Sequence, residues 1–282
     1  MKSDKYKSLS KEVAKEWWTL HRFGLTPAKL VRRCVNRNEP KILCVCVPKS
    51  GTHMLERALC LYPSLYRKLV RTVEDRKLSC EEELNGVLQS MRPGQIIFSH
   101  LHFTERRWAL VARLGIRVVF MIRDPRDVAI SEHKFIRTYE KHYLHQLFVA
   151  QPDLENCLRL TITGETSVKY PSIADRLEKF VGWFDREVFV IRFEDLIGAQ
   201  GGGDLSRQRT TLMALYQHIG IHLSEEELSF LAAKVFSELS PTFRSGKAKG
   251  WQTQMSQDMQ ALFRQVAADI LVRYGYESDP NW

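Results

Sequence analysis

The chain has 282 residues, 44% of them hydrophobic, with a formal net charge of +9. That content supports a sizeable core and excludes a disordered or fibrous chain. Six cysteines without a C-x-x-C pair or Cys/His zinc spacing exclude a disulfide scaffold and a zinc ribbon.

No apolar run reaches the roughly 18 residues of a membrane helix, and the charged N-terminus lacks the apolar stretch of a signal peptide. The expectation is a soluble cytoplasmic protein with reduced thiols and no stable membrane insertion. Its basic surplus predicts an anionic partner.

Residues 1–40 are basic and carry Trp17-Trp18; they read as a helical segment packed on a single domain of residues 41–282. Residues 41–47 are an apolar run and predict a buried strand, with Cys44 and Cys46 sharing one face. The turn Lys49-Ser50-Gly51-Thr52 follows, and a helical pattern occupies 52–62. A strand that delivers a tight turn onto a helix N-terminus offers backbone N–H groups and a positive helix end to an anion. Lys49 adds a mobile charge there. A nucleotide P-loop needs its lysine after the last glycine; here the lysine comes first.

Residues 95–99 predict a second strand with His100 just after it, 104–113 a helix, and 116–122 a third strand. Asp124 is a good N-cap and Pro125 fits the first helical position. Residues 139–170 are polar and show no period, so they read as a substrate-covering excursion. A helix is expected over 172–184, a fourth strand over 187–191 and a flexible connection over 200–204. Ser224 with Glu227 is a capping-box pattern, and Gly220 and Gly275 read as helix stops. Strands separated by helices imply an α/β fold: a central parallel sheet with helices on both faces. Ligands of such sheets bind beyond the carboxyl ends of the strands, where Lys49, His100 and Arg123 fall.

Two further stretches carry chemistry. Arg123-Asp-Pro-Arg-Asp-Val-Ala-Ile-Ser131 puts an arginine at a strand end and a serine two turns into the next helix. Phe243-Arg-Ser-Gly-Lys-Ala-Lys-Gly-Trp251 holds three cations and two glycines without apolar periodicity, a composition that suits an anion or a solvated basic loop.

Together these residues resemble the sulfotransferases that use 3′-phosphoadenosine 5′-phosphosulfate (PAPS). Lys49–Thr52 resembles the family's 5′-phosphosulfate loop, Arg123–Ser131 its 3′-phosphate motif, and Arg244–Trp251 its late Arg-Lys-Gly signature. Ile191–Leu196 resembles its Phe-Glu-Asp-Leu segment and Arg273–Glu277 the ending of its bacterial members. The resemblance implies a P-loop-NTPase-like three-layer sandwich. It implies sulfuryl transfer from PAPS to a hydroxyl or amine of a small-molecule acceptor, leaving 3′-phosphoadenosine 5′-phosphate (PAP). No metal and no nucleic acid are expected, and the enzyme is expected as a monomer or homodimer.

His100 matches the family's catalytic histidine, with His102 and Glu105 as nearby substitutes, and Lys49 meets the leaving oxygen. Donor contacts carry over to Lys49, Ser50, Gly51, Thr52, Arg123, Ser131, Arg244, Ser245 and Gly246. His53 stands where the family often has an adenine-stacking Trp, so Phe193 or Trp251 is an alternative platform. The acceptor pocket is expected from residues 53–70, 102–107, 139–170 and 236–243. A P-loop-type kinase and a basic nucleic-acid-binding protein are the rival readings.

Overall fold

Ile42–Cys46 forms strand β1, and all five of its residues are fully buried. Burial on both faces is what a central parallel strand requires. The computed structural model describes residues 38–68, 72–236 and 248–282. Expectations for residues 1–37, and for Arg244, Ser245 and Gly246, lie outside the described residues.

Helix α1 (Thr52–Cys60) follows β1, then two short strands, β2 (Tyr66–Arg67) and β3 (Val73–Glu74), and α2 (Glu81–Gln89). Next come β4 (Gln95–His100), α3 (Glu105–Arg113), β5 (Arg117–Ile122) and α4 (Pro125–Thr138). Helices α5 (His145–Val149), α6 (Leu154–Thr163) and α7 (Ile173–Glu178) lead to β6 (Phe189–Arg192). Short α8 (Phe193–Leu196), then α9 (Leu205–His218), α10 (Glu225–Val235), α11 (Trp251–Gln254) and α12 (Gln257–Arg273) complete the described elements.

The described strands form one parallel sheet in the order β2-β4-β1-β5-β6, with β3 also pairing β4. Alternation along β1 feeds two cores. Leu43 and Val45 pack with α2, α4, α6 and α12 on one face. Ile42, Cys44 and Cys46 pack with α1, α9 and α10 on the other. The three-layer arrangement is therefore a direct product of period-two side chains on a strand buried on both sides. The five described thiols are free; burial pushes Cys46 up to about 12, so it acts as a small apolar residue.

Local signals act where expected. Asp124 accepts from Arg126 N, Pro125 opens α4, and Ser224 with Glu227 closes a capping box on α10. Three elements differ. The 172–184 helix stops at Glu178 and continues as a 3₁₀ turn over Val181–Trp183. The 200–204 connection holds part of a 3₁₀ turn, Ala199–Gly201, and Asp204 caps α9. Residues 139–170 contain α5 and α6, which cover a small core of Leu144, Phe148, Cys157 and Tyr170 against Ile136. No helix among the described residues is long and apolar enough to cross a membrane.

His133 on α4 is 4% exposed, and its Nδ1 has no hydrogen-bond partner among the described residues. Burial, with Lys134 and Arg137 nearby, holds its pKa down to about 4. The unfolded chain takes up this proton near the ordinary value of about 6.5, so stability falls as pH drops from there toward 4. The loss from this residue should reach about 3 kcal/mol. Urea unfolding of wild type and His133→Phe should diverge over that window; parallel curves would refute the assignment.

Candidate active site

The carboxyl ends of four strands meet at a cavity of about 790 Å³. Lys49 follows β1, His100 ends β4, Arg123 follows β5 and Phe193 follows β6, and all four line it.

The loop between β1 and α1 is tightly wound. Lys49 has φ 68° and Gly51 φ 102°, both in the left-handed region. A Cβ at Gly51 would lie 2.6 Å from Phe193 Cδ2, so only glycine fits there. As N-cap, Gly51 brings no side chain to α1. The first amides of the helix are thus left to solvent or an anion. Thr52 and His53 open α1 and line the cavity. The His53 ring bonds Glu56 at 3.2 Å, and Arg67 bonds the same carboxylate at 3.1 Å. Burial raises Glu56, but His53 and Arg67 overcome it and hold the carboxyl below its ordinary value.

Ser50 corrects the sequence expectation. Its hydroxyl donates to Met121 O at 3.1 Å and its amide donates to Val47 O at 3.1 Å. The side chain is fully buried. Ser50 pins the loop to β5, and both of its donors are spent before any ligand arrives.

The Lys49 ammonium sits 4.0 Å from the centroid of the Phe135 ring, a cation–π contact across the cavity. Phe135 stacks in turn on Tyr139, centroids 5.2 Å apart. His100 Nδ1 lies 2.7 Å from Cys46 O. A carbonyl only accepts, so Nδ1 carries the hydrogen and Nε2 keeps its lone pair. Burial holds His100 below its ordinary pKa, with Lys49 and Arg76 adding and the Cys46 carbonyl and Glu74 opposing. At neutral pH the ring is an uncharged base.

His102 also lines the cavity, its Nδ1 3.4 Å from Asp75. Glu105 does not line it: at the first position of α3 it is exposed and pairs with Arg186. Solvent-side placement removes it as a substitute base.

The Arg123 guanidinium covers the face of Phe193, 4.2 Å from the ring centroid, and approaches Asp127 at 3.6 Å. Ser131, two turns into α4, lines the same end. Phe193 thus has one face under Arg123 and an edge against Gly51. Trp251 stacks on Arg126 at 3.8 Å and is not among the described residues that line the cavity. Ile197, Val235 and Phe236, which no local motif announced, line the cavity along with His53.

Beneath Arg123 lies a polar brace. Asp124 holds Arg126 through both carboxylate oxygens, at 2.9 and 2.8 Å. Arg126 also bonds Glu277 at 2.6 Å and lies 4.5 Å from the Trp282 ring centroid. Glu194 accepts from Asp124 N at 3.0 Å and from Tyr276 Oη at 2.8 Å. The Phe-Glu-Asp-Leu segment and the C-terminal ending therefore meet under the strand that delivers Arg123.

The acceptor-side expectations converge in part. His53, Met54 and Arg57, then His102, then Tyr139, His142, Tyr143 and Tyr170, and finally Phe236 all line the cavity. Glu74, Asp75 and Arg76, from β3 and the turn after it, were not anticipated. Strand pairing brings them in: Glu74 lies opposite His100 in the β3–β4 register.

The family profile described as the sulfotransferase domain matches residues 39–274. A search of curated proteins gave no match. Among solved structures, mouse sulfotransferase SULT7A1 complexed with PAP is similar with a TM-score of 0.61 and 17% identity, over 85% of this chain and 87% of that one. Retinol dehydratase in complex with androsterone and inactive cofactor PAP is similar with a TM-score of 0.55 and 16% identity, over 86% and 85%. At such identities the structural likeness speaks for the fold, and the profile speaks for the family. On that profile match, which runs from the start of β1 through α12, the chain belongs to the sulfotransferase domain family.

Proposed function

We propose that this chain transfers the sulfuryl group of PAPS to a hydroxyl or amine of a small-molecule acceptor in the cytoplasm. One observation carries the reading: Lys49, His100 and Arg123, from three separate strand ends, line one cavity. The uncapped N-terminus of α1 and the two cations fit a nucleotide with anionic groups at both ends.

The donor would supply an activated sulfuryl group. Lys49 and the first amides of α1 would hold the 5′ end, and Arg123 with Ser131 the 3′-phosphate. His53, Ile197, Val235 and Phe236 offer a mixed wall for a purine. His100 Nε2 is poised to accept the acceptor's proton. The rim formed by Tyr139, Tyr143 and Phe180 suits an acceptor with an apolar or aromatic body. The five free thiols favour a reducing compartment.

Calorimetry with PAP tests this directly. Tight binding is expected, and ATP with Mg²⁺ should give no comparable thermal shift. Arg123→Ala should weaken PAP at least tenfold while turnover at saturating donor changes less, because an arginine fork holds the phosphate but does not touch the reacting bond. Absence of PAP binding by the wild-type protein would overturn the reading.

A further inference from the structure

Asp127 is a buried carboxylate at the edge of the donor cavity, held by protein groups. It is 1% exposed, in the first turn of α4. Its Oδ1 accepts from Trp251 N at 2.8 Å, which fixes the start of α11. Its Oδ2 has no hydrogen-bond partner among the described residues and lies 3.6 Å from Arg123 Nη2. The neighbouring Arg126 is clamped between Asp124 and Glu277 and packed against the rings of Trp251 and Trp282. That clamp leaves α4, and Asp127 with it, little freedom to shift. A buried carboxylate is retained at a cost unless it is paired, and here its pairing joins two pieces of chain that are 124 residues apart.

We propose that Asp127 is a positioning residue: it aims the Arg123 guanidinium at the 3′-phosphate end of the donor cavity and is itself braced by Arg126, Trp251 and Trp282. This rests on the reading of Arg123 as a 3′-phosphate ligand. A merely solvating carboxylate would oppose an anionic ligand, since its negative charge lies close to where the phosphate binds. The two roles therefore predict opposite signs. Loss of the charge should strengthen phosphate binding if Asp127 only repels, and weaken it if Asp127 aims the arginine.

The test compares inhibition by PAP with inhibition by adenosine 5′-phosphate, which lacks the 3′-phosphate. Asp127→Ala should weaken PAP at least tenfold and change adenosine 5′-phosphate less than twofold. Asp127→Asn, which keeps an acceptor for Trp251 N, should weaken PAP about threefold to fivefold, since a misplaced phosphate ligand costs more than it disturbs the fold. It serves alone if the alanine variant does not fold. Equal losses for both nucleotides, or unchanged or tighter PAP binding, would overturn the proposal. If wild type fails to distinguish PAP from adenosine 5′-phosphate, the role assigned to Arg123 falls as well, whereas discrimination by wild type with an indifferent variant removes only the role of Asp127.

Discussion

Replacing Lys49 with alanine is expected to lower turnover by about 10²- to 10³-fold, the usual loss when one preorganised charge-stabilising group is removed. The ammonium lies at the end of β1, on the Phe135 ring, in the cavity shared with His100. Charge develops on the oxygen that departs with the nucleotide, and a cation held in a partly dry cleft acts on it far more strongly than one in water. The effect belongs to the transition state, so turnover should fall much more than PAP affinity. Backbone strain supplies a control. Lys49 has φ 68°, a conformation glycine adopts without cost. Lys49→Gly should therefore lose as much activity as Lys49→Ala yet melt at a higher temperature. Single-turnover transfer with labelled donor measures the loss, and a rate within threefold of wild type in either variant would refute the role.

What the sequence made legible was whatever depends on short-range physics. A fully apolar run between a charged segment and a Pro-Lys turn had to be a strand buried on both faces, and β1 is that strand. The Asp124-Pro125 start and the Ser224–Glu227 box are local chemistry and appear where the residues put them. The strand-end positions of Lys49, His100 and Arg123 follow from sheet topology alone.

The rest depends on contacts across long separations. Strands β2 and β3 have two residues each and carry no period; pairing with β4 creates them. Glu74 enters the site only through that pairing. Ser50 has the right residue type for an anion loop, but its turn spends the hydroxyl on β5. Phe135 carries no local signal in the sequence, and its contact with Lys49 requires both to be placed by the fold. Trp251 matched a signature position, yet Arg126 takes its ring. In residues 139–170, α5 packs in a small cluster with Ile136 while α6 also reaches the main core through Leu158 and Ile162, long-range contacts that the polar surroundings mask in the sequence.

His100→Ala should lower kcat/KM by about 10²- to 10⁴-fold, the range for loss of a positioned general base. The Cys46 carbonyl fixes Nδ1–H, which leaves Nε2 as the proton acceptor on the cavity side. Burial is the main cause of the lowered pKa, and it has a visible consequence in the pH profile. A base works when unprotonated, so the acid limb of kcat/KM should lie below the ordinary histidine value of about 6.5. Neighbouring charges should move that limb in opposite directions. Glu74 favours the protonated ring, so Glu74→Gln should shift the limb further down. Arg76 disfavours it, so Arg76→Ala should shift the limb up. These shifts distinguish a base at His100 from one at His102, whose own neighbours are Asp75, Lys179 and Arg107. If His100→Ala keeps both its rate and its acid limb, and Asp75→Asn moves that limb instead, proton removal belongs to His102.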